Sequence, residues 1–381
     1  MRLKMLFHPR YHKVCIIHKV TRPDVRSYYK QARSLANAGY NVYVLGLFHY
    51  DFSGNGIKIL GVPPPKSRFV KFTMTNFRIL LRAIKLRAAI IHFHDIDFLP
   101  WALVLRCLTH ARIIYDIHEA YPDYILLKPY IPKVLRKPLS FLVYFLEHMG
   151  AKFCDALMPN DNFVADAFAH RRKIIVYNFP CLDFFAGFAV TPFQDRHYDL
   201  FYHGSLPKYH YNTMFKIAAS LNQKQIHTRW GIMPLHTRAG AEMKREALRQ
   251  RVGKNFEFLP FTSYLSVAGK IQQTKIGIIP LPPLAKFYKN IPLKMFEFMG
   301  CGVPMVLADL PPSRQFVAGL NCCFAVQPDD IDAYVDAITF LLNHPAVAAQ
   351  MGENGKKSVF EKYNWSTEEA KLLRLYKSWA G

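Results

Sequence analysis

The chain has 381 residues, 51% of them hydrophobic and 20% charged, and its 50 lysines and arginines against 27 aspartates and glutamates leave a net charge of +23. This composition excludes a disordered or low-complexity protein and allows two domains that bury most of their apolar surface without disulfide or zinc support. The surplus of positive charge requires an anionic partner, and nucleic acid, an anionic membrane surface and a phosphorylated small molecule are the three classes to separate.

The seven cysteines are scattered, no CxxC occurs, and Cys322 and Cys323 are neighbours, so neither a disulfide framework nor a zinc ribbon is written in the chain. A reduced, cytosolic chain is the simplest expectation. Met1 to Tyr11 is basic but lacks the apolar stretch of a signal peptide. The most apolar run, Leu139 to Leu146, falls short of the roughly 20 residues that span a bilayer.

In chain order, Val14 to Ile17 reads as a strand, followed by Val25, Tyr28, Tyr29, Ala32, Leu35 and Ala36 at helical spacing, with Asp24 as N-cap and Gly39 as the stop. Asn41 to Leu47 closes a βαβ unit. Further strands are expected at Ala89 to Phe93, Arg112 to Tyr115, Ala156 to Met158 and Lys173 to Tyr177, with helices between them. Asn178 to His197 holds Pro180, Gly187 and Pro192 without a clean period and reads as an interdomain linker. A second series follows at Asp199 to His203, Thr228 to Ile232, Phe256 to Leu259, Ile276 to Pro280, Pro304 to Ala308 and Cys322 to Val326. The fold class is therefore α/β, with two Rossmann-like doubly wound domains facing a cleft, and ligands are expected beyond the carboxyl ends of the strands.

The residues after strands carry the chemistry. Asp116-Ile117-His118-Glu119 places an imidazole and two carboxylates at a strand end, where His118 is suited either to proton transfer and hydroxyl recognition or to a structural role. His92 and His94 on one strand face, and Asp95-x-Asp97, are weak metal signals, and an aspartate before Phe98 to Cys107 is better explained as a helix N-cap. In the second domain, Asn290 to Pro304 predicts a helix beginning near Pro292, whose free amides and Lys294 are placed to hold a diphosphate, with Glu297 placed for ribose hydroxyls. A core helix with both charges solvated is the alternative. His203-Gly204-Ser205-Leu206-Pro207-Lys208 follows the first strand of that domain, where Gly204 allows close backbone approach and Lys208 reaches toward a phosphate. No Walker motif and no GxGxxG after a strand is present, which leaves ATP hydrolysis and ordinary dinucleotide binding unsupported. Tyr121 to Met149 interleaves Lys128, Lys133, Arg136 and Lys137 with apolar residues, fitting either a membrane-facing surface or a core helix.

Six stretches resemble nucleotide-sugar glycosyltransferases of the GT-B fold, family 4 (glycosyltransferase group 1) type: Asp24 to Gly39, His94 to Pro100, Ile114 to Glu119, Asn178 to Pro180, His203 to Leu206 and, most specifically, Ile291 to Pro304. The resemblance implies an acceptor-binding domain over residues 1–180, a donor-binding domain over 181–366 and a C-terminal helix, 367–381, that packs back on the N-terminal domain. It implies that Glu297 holds the donor ribose, that Lys294 and Lys208 meet the diphosphate beside Gly204 and Ser205, and that Leu259 and Pro260 meet the base. Asn290 and Ile291 lie in the same donor signature, and His118 lies where a histidine sits beside the transferred sugar. Arg26, Glu119 and Asp95 are the residues expected at the acceptor. Two departures stand out: Lys289 occupies the position of the first Glu of the family's paired-Glu motif, and no Gly-Gly follows the first strand, where Arg22 and Arg26 stand instead.

The expected activity is transfer of a sugar from a nucleoside diphosphate donor to a lipid-linked or polysaccharide acceptor, in cell-surface polysaccharide synthesis, with retention implied by the resemblance alone. No cofactor and no metal are expected. The expected partners are a nucleotide sugar, a lipid-linked or glycan acceptor and an anionic membrane surface, on the cytoplasmic face of the membrane. A nucleotide-sugar 2-epimerase of the same architecture is the alternative, with Asp95, Asp116 and Glu119 as candidate acids and bases. A nucleic-acid binder is disfavoured, because the cations are spread over both domains with no run of five.

Overall fold

The computed structural model describes residues 13–128, 130–187, 191–261 and 263–379; the basic stretch Met1–Tyr11 lies outside them. The chain divides into two compact units, one running to Asn178 and resuming at Trp365, the other running from Phe179 to Asn364.

In the first unit the strands are β1 (Lys13–Ile17), β2 (Asn41–Gly46), β3 (Phe52–Gly54), β4 (Ile57–Gly61), β5 (Ile90–Phe93), β6 (Arg112–Ile117) and β7 (Ala156–Pro159). They form a sheet in the order β3-β4-β2-β1-β5-β6-β7, parallel apart from the β3–β4 hairpin. Val14 to Ile17 are fully buried, as expected of a parallel strand covered by helices on both faces. The hairpin was not among the expected strands. Its signal is Asn55-Gly56, where φ values of 53° and 74° give the turn chemistry that closes a two-residue hairpin. The expected strand at Lys173 to Tyr177 is instead extended chain beside β7, bonded through Ile174 and Val176 amides with a single bridge at Lys173.

Asp24 caps the next element as expected, accepting from the Arg26 and Ser27 amides. That element, Val25–Ala32, is wound as a π-helix before an α-helical turn over Arg33–Asn37. The element is covered on both sides: Tyr28, Ala32 and Leu35 are buried on the apolar side, and so are Arg26, Ser27, Lys30 and Gln31, which a 3.6-residue period places on the opposite, solvent side. The Trp365–Lys377 helix belongs to this unit: Trp365 donates its indole N–H to Ser34 at 2.9 Å and Glu368 accepts from the Tyr177 amide at 2.9 Å.

In the second unit β8 (Tyr198–Gly204), β9 (Trp230–Pro234), β10 (Phe256–Phe258), β11 (Thr274–Ile279), β12 (Met305–Ala308) and β13 (Cys323–Val326) lie in the order β10-β9-β8-β11-β12-β13, all parallel. The segment read as a linker is part of this unit's packing, apart from residues 188–190, which lie outside the described residues. Phe184 stacks on Tyr264 at 4.5 Å and Phe179 packs edge-on against Phe296 at 4.7 Å; the aromatic residues that broke the helical period are its anchors.

The short Lys294–Gly300 helix is held by the Pro345–Glu361 helix across two glycines. A Cβ at Gly352 would collide with the backbone carbonyl of Gly302, and one at Gly355 would press on Met299 at 3.2 Å. A backbone obstacle cannot rotate away, so Gly352→Ala is expected to destabilise the chain by about 1–3 kcal/mol, read as a lower midpoint in urea unfolding followed by circular dichroism. An unchanged midpoint would show that the two helices are free to separate.

Candidate active site

Each sheet reverses its strand order once next to its first strand, between β1 and β5 and between β8 and β11. Such a reversal opens a crevice beyond the carboxyl ends of the strands. Both polar clusters described below stand at these points.

In the first unit the register sets Ile17 level with Phe93 and Phe93 level with Tyr115, so the next residues, His18, His94 and Asp116, emerge together. His118 follows one turn of chain later. The His18 and His94 rings stack at 4.6 Å, His94 and His92 at 5.0 Å, and His118 lies 4.8 Å from His94. His94 Nδ1 and His118 Nε2 share a hydrogen bond of 2.5 Å. His94 Nε2 is buried with no hydrogen-bond partner.

Beneath this array lies a buried ion pair. Arg26 donates Nε–H and Nη2–H to the two oxygens of Asp116 at 3.0 and 2.9 Å, and Nη1–H to the Val176 carbonyl at 2.9 Å. The two side chains are 1% and 0% exposed. Arg26, expected at the acceptor, is therefore sealed inside the fold, because the Val25–Ala32 element is covered on both sides. Burial opposes the charge on Asp116, yet the Arg26 guanidinium, aided by the histidines, holds its carboxyl well below the usual range.

The histidines respond differently. Burial pushes His118 down to about 4 and lowers His92 and His94, so all three are neutral at pH 7. For His18 burial acts downward, but the Asp24 carboxylate 3.4 Å away and more distant aspartates raise it overall. His118 remains 22% exposed, which gives the array one edge open to a ligand. A neutral imidazole there offers directional hydrogen bonds rather than charge.

Asp95 and Asp97 are engaged with Lys19. Asp95 accepts from the Lys19 amide at 2.8 Å, and Asp97 pairs with the Lys19 ammonium, which also reaches Asn76 at 3.0 Å. Asp95 stands at the N-cap position of Ile96–Phe98 without capping it through its side chain. Glu119 sits half-buried beyond His118. His92, His94 and Asp116 bring one donor atom each within 4.8 Å of one another, but Asp116 is held by Arg26 and Gln31, and His92 Nδ1 bonds the Tyr376 hydroxyl at 2.8 Å. That set suits an internal hydrogen-bond network better than a cation. His18 and Lys19 escaped the sequence reading; their signal was a polar residue directly after each of three apolar strands, at His18, His94 and His118.

The second cluster forms around the end of β8. Gly204 adopts φ 102°, a conformation open to glycine, and the Lys294 ammonium lies close beside it, 3.8 Å from where a Cβ would stand. The same ammonium sits 3.7 Å over the Tyr202 ring. The Tyr202 hydroxyl donates to the Ser205 carbonyl at 2.7 Å and accepts Nδ1–H of His210 at 2.7 Å, so the ring is a fixed platform. Burial pulls Lys294 down to about 7, against the pull of Glu297.

Glu297, one turn along the Lys294–Gly300 helix, is buried. Its Oε2 lies 3.3 Å from His203 Nε2, outside hydrogen-bond alignment, which leaves Nε2 buried without a hydrogen-bond partner. Tyr264 hydrogen-bonds the same carboxylate. Lys208 is exposed at the start of the Lys208–Gln223 helix, three residues beyond the exposed Ser205, with Leu206 buried between them. Asn290 and Ile291 are half-buried just before the Lys294–Gly300 helix. The expected row of free amides there is shorter than the sequence suggested: Met295 and Phe296 already donate to Pro292 and Leu293 carbonyls at 3.0 Å. The Leu259 amide is likewise bonded to Ile232 at 2.8 Å, while Pro260 is exposed beyond β10. Tyr202, Tyr264, His203 and His210 had not been assigned roles, because their meeting requires three separated segments to converge.

Comparison with known proteins finds glycosyltransferase models over both units. Residues 25–179 match the model of Glycosyltransferase Family 4, and residues 228–374 match a glycosyl transferase-like model. No curated protein matches the chain in sequence. Among solved structures, sucrose-phosphate synthase from Thermosynechococcus elongatus is similar at 16% identity and a TM-score of 0.76, covering 96% of this chain and 98% of that one. Anabaena HepE, crystallised with UDP and glucose, is similar at 12% identity and a TM-score of 0.71, covering 96% and 100%. The α,α-trehalose 6-phosphate synthase from Burkholderia multivorans gives 14% identity and a TM-score of 0.66, covering 97% and 99%.

Two doubly wound units joined in one chain, with matches to glycosyltransferase models over both, define a GT-B glycosyltransferase, an enzyme of hexosyltransferase type. The Glycosyltransferase Family 4 model covers residues 25–179 of the chain, the greater part of the first unit.

Two outcomes follow from the first cluster. Arg26→Ala leaves Asp116 charged and buried without its partner, with an expected loss of about 3–5 kcal/mol in unfolding free energy, measured by denaturant titration; a loss below about 1 kcal/mol would contradict the pairing. His118 binds a proton more readily unfolded than folded, so its contribution to stability is complete above pH 6.5 and declines as pH falls toward 4, by up to about 3 kcal/mol. The acid slope of the melting temperature should be shallower in His118→Asn, and an unchanged slope would place the imidazole in a more solvated setting.

Proposed function

We propose that the enzyme transfers a hexose from a nucleoside diphosphate donor bound on the second unit to a lipid-linked or glycan acceptor bound on the first, in polysaccharide synthesis at the cytoplasmic face of the membrane. The observation that carries the donor assignment is the Lys294 ammonium fixed on the Tyr202 ring beside the Gly204 backbone, with Glu297 one turn further on. An ammonium at a glycine-lined strand end suits a diphosphate, and a buried carboxylate at that distance suits vicinal ribose hydroxyls. HepE, whose solved structures contain UDP and UDP-glucose, makes a uridine diphosphate sugar the first donor to try.

In this reading the leaving diphosphate is stabilised by Lys294 and Lys208, so its charge is assigned to side chains rather than to a metal ion. His118, neutral and open on one edge, orients a hydroxyl of the transferred sugar. Glu119 and Asp95 border the acceptor, Asp95 mainly by fixing the Lys19 backbone. Retention of configuration rests on the family resemblance. Tethering of Asp95 and Asp116 by Lys19 and Arg26 supports transfer over 2-epimerisation, which needs mobile protons on cleft carboxylates.

Glu297→Ala is expected to lower kcat/KM for the donor by roughly 10- to 100-fold, the worth of hydrogen bonds to a charged group, in an assay of donor turnover. Full activity in that variant would remove Glu297 from the donor site. A diphosphate requires Lys294 protonated, and its value near 7 in the free enzyme means that UDP affinity should fall up to about tenfold per pH unit above 7. In calorimetry this appears as proton uptake on binding, and Lys294→Arg should flatten the pH profile. A thermal-shift series over nucleoside diphosphates and their sugars reads the donor class, and no response to any of them would overturn the proposal.

A further inference from the structure

The Lys133–Ala151 helix is amphipathic in the inverted sense. Its inward face is fixed by Glu147, which is buried and accepts the Tyr115 hydroxyl at 2.7 Å, while Val134, Phe141 and Phe145 point outward at 81%, 71% and 53% exposure. These residues, at spacings of seven and four, lie along one stripe. A second segment presents the same chemistry: Phe69, Phe72 and Phe77, exposed at 77%, 53% and 43%, on the consecutive helical turns from Arg68 to Leu86.

The two segments are parts of one surface. The Arg68 guanidinium lies 3.5 Å over the Tyr130 ring, and Arg136 bonds the Ile131 and Leu126 carbonyls at 2.9 and 3.3 Å. The Asn76–Leu86 helix packs on Leu99–Thr109, which packs on Lys133–Ala151. A contiguous apolar face of this extent on one unit marks an interaction site.

Charge identifies the occupant. No aspartate or glutamate occurs between Asp51 and Asp95, or between Asp123 and the buried Glu147. The same tracts carry Arg68, Lys71, Arg78, Lys133 and Lys137. Two copies of this chain meeting through such faces would oppose like charges, whereas anionic headgroups complement the cations while the phenylalanines enter the acyl boundary. Among the described residues no helix is long and apolar enough to cross a membrane, so the contact is one of lying on the surface.

We propose that this face of the first unit docks on an anionic lipid bilayer, with the aromatic side chains of both segments inserted and the flanking lysines and arginines on the headgroup phosphates. The proposal deepens the reading of a membrane-associated transferase and rests on it only for the choice of acceptor.

The full-length chain is sedimented with phosphatidylcholine vesicles, with and without phosphatidylglycerol, at low and high salt, and its thermal response to UDP is measured in parallel. Partition into phosphatidylglycerol vesicles, weakened by salt, is expected. Phe141→Ser with Phe145→Ser, and separately Phe69→Ser with Phe72→Ser, should each lower partition by about tenfold or more with melting temperature and UDP response retained; both pairs are exposed, so the fold does not depend on them. Lys133→Glu with Lys137→Glu should remove much of the salt dependence. Absence of partition, equal partition into both vesicle types, or a dimer dissolved by the serine pairs with lipid binding unchanged would overturn the lipid surface. Because UDP response is read separately, a chain that responds to UDP yet ignores vesicles refutes the surface alone, and one that binds vesicles without any nucleotide response supports the surface while refuting the donor site.

Discussion

A guanidinium and a carboxylate withdrawn from water together set the geometry of the first unit. Arg26 and Asp116 are almost completely buried, and a pair so placed is tolerable only when nearly every hydrogen-bonding position is filled. Arg26 uses three N–H groups on Asp116 and Val176, and Asp116 also receives Gln31 and His92. This network ties the helix after β1 to β6 and to the chain beside β7. The histidine stack rests on it: burial keeps His94 and His118 neutral against the pull of the ionised Asp116, and the exposed edge of His118 faces outward with a fixed neighbour on its other nitrogen.

The second unit solves a related problem with a different residue pair. Lys294 loses hydration by lying on an aromatic ring, and the ring is immobilised by Ser205 and His210. The helix carrying Lys294 and Glu297 has only seven residues, too few to hold its place by its own hydrogen bonds. Its position comes from the helix packed on it, which approaches closely because Gly352 and Gly355 lack side chains. Lys294 and Glu297 are therefore positioned by residues more than fifty positions away in the chain.

The net charge of +23 resolves into parts with different physical settings. Lys294 and Lys208 stand around the end of β8, Arg26 and Lys19 neutralise buried or half-buried carboxylates, and a further group lies in two tracts without acidic residues beside exposed phenylalanines. Dispersed surface cations alone would read as general solubility. Segregation of cations with large apolar side chains gives this surface its character, and the segregation appears only when two separate tracts of the chain are brought together, as at Arg68 and Tyr130.

The sequence by itself determined the alternation of apolar strands with helices, the two-unit division, the Asp24 cap and the strand-end positions of His118, Gly204 and the Lys294–Glu297 segment, because strand burial, capping and glycine conformation are local properties of the chain. It also carried the Asn55-Gly56 hairpin, which went unread because its strands are short. Tertiary structure alone decided that Arg26 lies inside: its helical element is covered on both sides, and an amphipathic period marks only the apolar one. It likewise decided which aspartates are tied by Lys19 and Arg26, that the aromatic segment after Asn178 packs into the second unit, and that Tyr202 lies beneath Lys294. Each of these depends on contacts between segments distant in sequence, where the pairing of charge, ring and backbone is fixed by packing and not by the order of residues.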